Sequence, residues 1–412
     1  VNGRQVVITG IGPVTPIGVG AHDFWQAQLK GVSGVRRISR FDPDGLPVRI
    51  AGEVDLPERF TPGRREALAS DRCTQLGLAA ARLALEDSSL DLTAEDRDRV
   101  GVVMGTGAGG ALTWETNTRA LVSGGPSRIG ARSIAMSMAN GTASRIALDH
   151  GITGPSTAVV TACASGAEAL IGACQMIVSG EADVVLAGGS EAPVTPLIVG
   201  GFARIRALST RNDEPERASR PFSEDRDGFV LAEGAAVLVL ESLEHARARG
   251  ATVLATLSGY GRSSDAHHVT APHPEGAGAA RAMWAALRSA GWSARDVSYV
   301  NAHGTGTSYN DASEARALRT ALGEEAGRTP VSSTKSMTGH SLGAAGAVEA
   351  VVCVQALTHG VVPPTVNLDR ADPDLGLDVV GADAREIPLG AVLSNSFAFG
   401  GHNVVLAFGA PR

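Results

Sequence analysis

Three residues point most directly to chemistry. Cys163 stands in VVTACASGAEAL, where a β-branched run meets an alanine-rich run of helical character. A cysteine at such a junction faces the positive end of the helix dipole, which favours thiolate, the nucleophilic form, over thiol. The small neighbours Ala162, Ala164, Ser165 and Gly166 permit a sharp turn and close approach of a substrate. This is the logic of a serine nucleophile elbow with sulfur in place of oxygen. On position alone, a nucleophile and a buried structural cysteine are equal readings. Cys73, Cys174 and Cys353 lie inside apolar helical runs and read as structural.

His303 lies in YVNAHGTGTSYND after an expected strand, and His340 lies in SSTKSMTGHSLGAAGAVEA before an expected helix. An isolated histidine is usually a satisfied structural residue. Here each one ends an apolar element beside Gly and Thr, where side chains converge. Two neutral imidazoles can donate hydrogen bonds to a thioester carbonyl and stabilise it as it becomes an enolate. A metal site is the rival reading, and no carboxylate or histidine stands at i+3 or i+4 to complete a ligand set. Lys335 precedes His340, and Glu349 follows it in an apolar helical run. As a buried pair they would fix the histidines and adjust their pKa values; as a surface pair they would matter little. The glycine-rich run SNSFAFGGHN, 394–403, can offer backbone N–H groups to an oxyanion. GTGAGG at 105–110 lacks the acidic residue that a dinucleotide fingerprint requires.

The positioning elements follow from periodicity. Short β-branched runs alternate with alanine-rich ones, which predicts an α/β architecture. Expected strands are 5–9, 99–104, 156–161, 182–187, 235–240, 251–260, 297–301, 391–394 and 403–408. Expected helices are 72–87, 164–179, 279–290, 311–322 and 342–359. Consecutive apolar residues such as Val184, Val185 and Leu186 suit strands covered on both faces. Segment 209–229 reads as an ordered surface loop, and 261–278 as a second, rich in His and Ser. No short repeat or linker divides the chain. A soft boundary falls where LEHARARG ends in Gly250, giving halves 1–250 and 251–412.

The 412 residues, 43% hydrophobic and 19% charged, allow a large core. A formal charge of −7 argues against nonspecific nucleic-acid binding. The four cysteines form no CxxC pair, so neither zinc nor a disulfide framework is expected, and a reducing cytoplasm fits. The start lacks a signal-peptide layout, and Glu349 interrupts the longest apolar stretch, so no membrane span is expected.

Four motifs then come together. TACASG, NAHGTGT, STKSMTGHSLGAAGAVE and SNSFAFGGHN occur in the order found in β-ketoacyl-[acyl carrier protein] synthases, and the chain resembles the synthase II type along essentially its whole length. Ketosynthase α subunits of type II polyketide synthases share these motifs. The resemblance implies a thiolase-like fold of duplicated halves in five α-β-α-β-α layers, and a dimer whose partner closes the acyl pocket. It implies that Cys163 accepts an acyl group from the phosphopantetheine arm of an acyl carrier protein, with no bound cofactor. Malonyl-carrier then loses CO2 and its enolate attacks the acyl-cysteine. His303 and His340 would stabilise the enolate, with Lys335 and Glu349 organising them. The N–H groups of Cys163 and Phe399 would form the oxyanion hole. Thr305, Thr307 and Thr270 would hold the pantetheine arm. Phe399 and Phe202 match positions where the family places gating aromatics, Phe399 in a loop that includes Ala398 and Gly400. Arg64, Arg65, Arg128, Arg132 and Arg206 would steer the acidic carrier.

Two departures stand out. Ala398 replaces a usual glycine, which would stiffen the gating loop. Ala108 stands where synthase II enzymes often carry a bulky aliphatic, which predicts a roomier acyl pocket. A thiolase-like, CoA-dependent enzyme would need a second active-site cysteine, yet His340 and Ser396 occupy the late motifs. A chain-length-factor subunit would lack the nucleophile. Fatty-acid elongation as a homodimer and polyketide elongation as a heterodimer with a cysteine-less homologue both remain open.

Overall fold

The computed structural model describes residues 4–411, apart from the side chains of Arg64 and Arg65. The apolar runs form two sheets of one plan. In the first half β1 is Val6–Thr15, β2 Val100–Gly105, β3 Ser156–Val159, β4 Val184–Glu191 and β5 Gly234–Ser242. Their order is β3-β2-β4-β5-β1, with β2 parallel to β3 and β4 and the other neighbours antiparallel. In the second half β6 is Ala255–Ser264, β7 Tyr299–Asn301, β8 Pro330–Ser332, β9 Ala391–Ala398 and β10 His402–Gly409. The order β8-β7-β9-β10-β6 repeats the first plan in order and direction, with one further short strand, Asp378–Val379, parallel to β8 at its outer edge. The sheets meet through the pairs Val7–Thr256 and Ile8–Ala255. The strand expected at 251–260 starts at Ala255, because 251–254 carry the chain from one half to the other.

Helices α1 (Arg72–Ser88), α2 (Ala111–Gly124), α3 (Gly141–His150), α4 (Ser165–Ser179), α5 (Ala277–Ala290), α6 (Ser308–Leu322) and α7 (Ala345–His359) complete the layers. Helix α1 covers the outer face of the first sheet, and α5 and α6 that of the second. Helices α4 and α7 lie between the sheets, giving five layers. This explains the composition of each. Helix α1 is amphipathic, whereas α7 is buried from Ala345 to Leu357, as a core helix must be. The segment Leu342–His359 is apolar and long enough for a membrane span, and 89% of it is buried inside the protein.

The two central helices approach closely at their N-termini. A Cβ on Gly166 would stand 2.8 Å from Ala347 N, and one on Gly346 would stand 2.8 Å from Ala167 N. Glycine at both crossings is therefore a packing requirement.

Segment 209–229 differs from the expected surface loop. It is irregular, yet Ser219, Arg220, Phe222 and Ser223 are buried. Phe222 anchors in the core of the second half, its N–H bonds Asp311, and the Arg220 charge pairs with Asp225. A charged, proline-bearing composition hid this anchor and a second buried aromatic, Phe229.

Candidate active site

Cys163 sits in a 3-10 turn, Ala162–Ala164, between β3 and α4. Ala162 takes φ 49°, a left-handed conformation that tightens the turn. Ser165 Oγ staples it, accepting the N–H of Thr161 at 2.8 Å and lying 2.7 Å from Ala162 O and 3.1 Å from Thr106 O. The second half repeats this device: Leu342, φ 45°, begins the turn Leu342–Ala344 ahead of α7. Gly343 there holds the place of Cys163.

The histidines come from that second half. His303 follows β7, and its loop is clamped from α6 by carboxylates that sequence reasoning missed. Glu314 accepts the N–H groups of His303 and Gly304, each at 2.8 Å. Asp311 accepts those of Thr305 and Gly306. Both carboxylates are buried, and their three-residue spacing on a face shared with Ala315 and Leu318 was the available signal. His340 follows a short helix, Lys335–Thr338, and is pinned by its N–H to Val230 O at 2.7 Å.

Cys163, His303 and His340 border one cleft of ≈ 280 Å³. The two imidazole rings lie 5.3 Å apart, nearly perpendicular. Behind them Lys335 and Glu349 form a buried ion pair, so the surface-pair reading falls away. Lys335 Nζ also donates to His303 O at 2.7 Å and lies 3.4 Å from His303 Nδ1. A donor at Nδ1 assigns the His303 proton to Nε2.

Burial, then the Lys335 charge, hold His303 and His340 well below the usual histidine range. Both are therefore neutral donors at pH 7, the state that an enolate stabiliser needs. Burial pushes Glu349 up to about 7, with Lys335 opposing it.

The thiol departs from expectation. Burial pushes Cys163 up to about 12, and Glu191 adds to this, while Lys335 and the N–H groups of Phe399 and Cys163 pull the other way. The resting group is a thiol. The helix end and the two N–H groups act on charge that forms during reaction.

Phe399 lies in the β9–β10 hairpin, where Gly400 (φ 84°) and Gly401 (φ 75°) make the turn. Its ring is 6.3 Å from Phe202, which packs edge-on to Phe229, itself edge-on to His340. Ala398, Thr270, Thr305, Thr307 and Arg206 also line the cleft. Thr307 additionally caps α6, accepting the N–H of Asn310. Gly400 stands outside the lining, its N–H bonded to Val269 O. Ala108 is exposed and outside the cleft, and its N–H bonds Glu191. The arginines are dispersed. Arg128 and Arg132 are exposed, Arg132 beside Arg82 and Arg145 in a separate depression. The side chains of Arg64 and Arg65 lie outside the described residues.

A nucleophile at a helix end, two neutral histidines and a buried lysine define a thiol-dependent condensing site on a thiolase-like fold. The chain matches the beta-ketoacyl synthase N-terminal domain over residues 3–246 and the C-terminal domain over 254–369, and it belongs to that family. Its curated relatives include 3-oxoacyl-[acyl-carrier-protein] synthase 2 of Synechocystis, 45% identical, and of Coxiella burnetii, 46% identical, each alignment covering 98% of both chains. Among solved structures it is similar to a type II PKS ketosynthase in complex with its acyl-carrier protein, bound to the hexaketide (35% identical, TM-score 0.92). It is also similar to the ishigamide ketosynthase/chain length factor (36% identical, TM-score 0.93), and both alignments cover 100% of each chain.

Proposed function

We propose that this chain elongates acyl chains as a 3-oxoacyl-[acyl carrier protein] synthase, condensing a Cys163-bound acyl group with malonyl carried on an acyl carrier protein. The observation that carries this reading is the convergence of Cys163, His303 and His340 on one cleft, with the Lys335–Glu349 pair behind it.

The Cys163 sulfur attacks the acyl thioester, and the tetrahedral oxygen takes its charge beside the N–H groups of Cys163 and Phe399. Collapse releases the pantetheine thiol, which leaves with the cysteine's proton. Malonyl thioester enters past Thr270, Thr305 and Thr307. Its C–C bond breaks to release CO2, and the electron pair moves to the thioester oxygen, where His303 and His340 donate hydrogen bonds. The enolate carbon attacks the acyl-cysteine carbonyl, the C–S bond breaks, and a proton from solvent restores the thiol. Arg206 at the cleft mouth, with Arg128 and Arg132 on the surface, supplies positive charge for an acidic carrier.

The working unit is a dimer. Strand β3 ends the first sheet. Val102 N–H bonds Pro155 O and Thr106 N–H bonds Val159 O, so the odd positions face β2 and Ser156 and Ala158 face the open edge. Val160 directly after β3 is exposed, as are Ile134, Met138 and Trp114 elsewhere in the first half, a set that a second subunit would cover. A second reading, a polyketide ketosynthase α subunit paired with a cysteine-less homologue, is favoured by the likeness to the ketosynthase/chain length factor structure.

The test gives the purified chain a saturated acyl-carrier primer and malonyl-carrier, with Cys163→Ala as control, and follows the 3-oxoacyl product by mass spectrometry. Elongation by the lone chain, lost in the control, is expected. Activity only with a cysteine-less homologue would establish the second reading, and full condensation by the control would overturn both.

A further inference from the structure

Glu191, the last residue of β4, is 0% exposed and has no cationic partner among the described ion pairs. Its carboxylate accepts the N–H of Ala108 at 3.1 Å, the N–H of Gly343 at 3.0 Å, the hydroxyl of Thr106 at 3.0 Å and the N–H of Gly107. Thr106 Oγ accepts in turn from Gly109 N–H, so its own proton points at Glu191. Every partner is a donor. Burial pushes the group up to about 7, and all four donors oppose that by favouring the ionised form.

These donors belong to two loops that serve different steps. Thr106, Gly107 and Ala108 follow β2, and Thr106 O meets Ser165 Oγ, the staple of the Cys163 turn. Gly343 lies three residues beyond His340, in the turn equivalent to that of Cys163. In the first half the N–H of the turn residue faces the reacting thiol; in the second it is occupied by an internal anion. No side chain fits there: a Cβ on Gly343 would stand 2.3 Å from Gly107 N and 2.5 Å from Glu191 Oε2.

We propose that Glu191 is a positioning residue that locks the His340 loop to the Cys163 turn, so that one buried carboxylate sets the geometry between nucleophile and enolate stabiliser. This rests on the condensing reading above. His340 acts after Cys163 is acylated, so loosening the link penalises the second half-reaction more than the first.

The test compares full-length wild type with Glu191→Gln, which keeps the shape but turns an amide NH2 toward N–H donors. Acylation of Cys163 by acyl-carrier and condensation with malonyl-carrier are measured separately. The expected result is a condensation kcat lower by about tenfold to a hundredfold with little change in KM, the scale of a misplaced catalytic group, while acylation falls far less. Iodoacetamide labelling of Cys163 moves to lower pH, because a nearby negative charge is gone. Thr106→Val, which removes the hydroxyl donor to Glu191 together with the acceptor of Gly109 N–H, shows the same split more weakly and decides the matter if Glu191→Gln does not fold. Equal losses in both half-reactions, or unchanged condensation in both variants, overturn the proposal. A wild-type chain that does not condense overturns the functional reading instead.

Discussion

Lys335 and Glu349 bring an ionisable pair into the interior, each about 2–3% exposed, behind His303 and His340. Removing one partner of such a pair costs about 3–5 kcal/mol, whereas replacing both with apolar groups can be neutral. Lys335→Met is therefore expected to lower the melting temperature, and Lys335→Met with Glu349→Leu to restore it by calorimetry without restoring condensation. Recovery of condensation in the double variant would reduce the pair to a structural role. The half-buried setting of Cys163 carries its own consequence. An ordinary thiol, near pKa 8.5, approaches full reactivity above pH 9. Labelling of Cys163 in the wild type is expected to keep rising there, and a plateau near pH 7 would mean that the helix end outweighs burial. Cys163, His303, His340 and Lys335 were legible in the sequence because each marks a junction between an apolar run and a small-residue turn. Glu191 was not, since its partners come from segments far apart in sequence; its one trace was an acidic residue closing the apolar run VVLAGGSE.

At the scale of elements, the crossing of α4 and α7 fixes where both turns point. Gly166→Ala is expected to force the helices apart at a cost of about 1–3 kcal/mol, and to reduce condensation because Cys163 and His340 ride on the two helix ends. Unchanged melting and turnover would show that the crossing yields. A second device lies at the join of the halves, where His245 sits between Glu241 and Glu95, with Arg249 also on Glu241. The Glu241 contact, against partial burial, raises His245 above its ordinary 6.5. Its stabilisation is complete below that value and fades as pH rises through the raised one. Glu241, held down to about 2 by Arg249, His245 and Thr9 against burial, loses its share only as pH falls below about 4.5 toward 2. Melting curves of His245→Gln and wild type should accordingly converge in the alkaline range and separate near pH 5. Long helices and apolar strands were readable from periodicity. Helices α2 and α3 were not anticipated: much of α2 is exposed on this chain, and its pattern of burial is incomplete without another surface against it.

At the scale of the molecule, the expected duplication appears as one strand order used twice. No short repeat in the sequence marks it; the equivalence of Ala162 and Leu342, both at left-handed φ, requires coordinates. The free edge of β3 supplies the test of assembly. Ala158→Pro removes an outward N–H and should yield a monomer by analytical ultracentrifugation with condensation strongly reduced; a dimer that persists would place the interface elsewhere. Gly343 has a last implication. Copying a fold offers the chance of two nucleophiles per chain, but the second turn is closed to any side chain and its N–H is engaged by Glu191. Each subunit can therefore hold one growing chain at a time. On the proposed function, any second acyl group would have to wait until the single thiol is free, so loading is sequential rather than a matter of parallel stations.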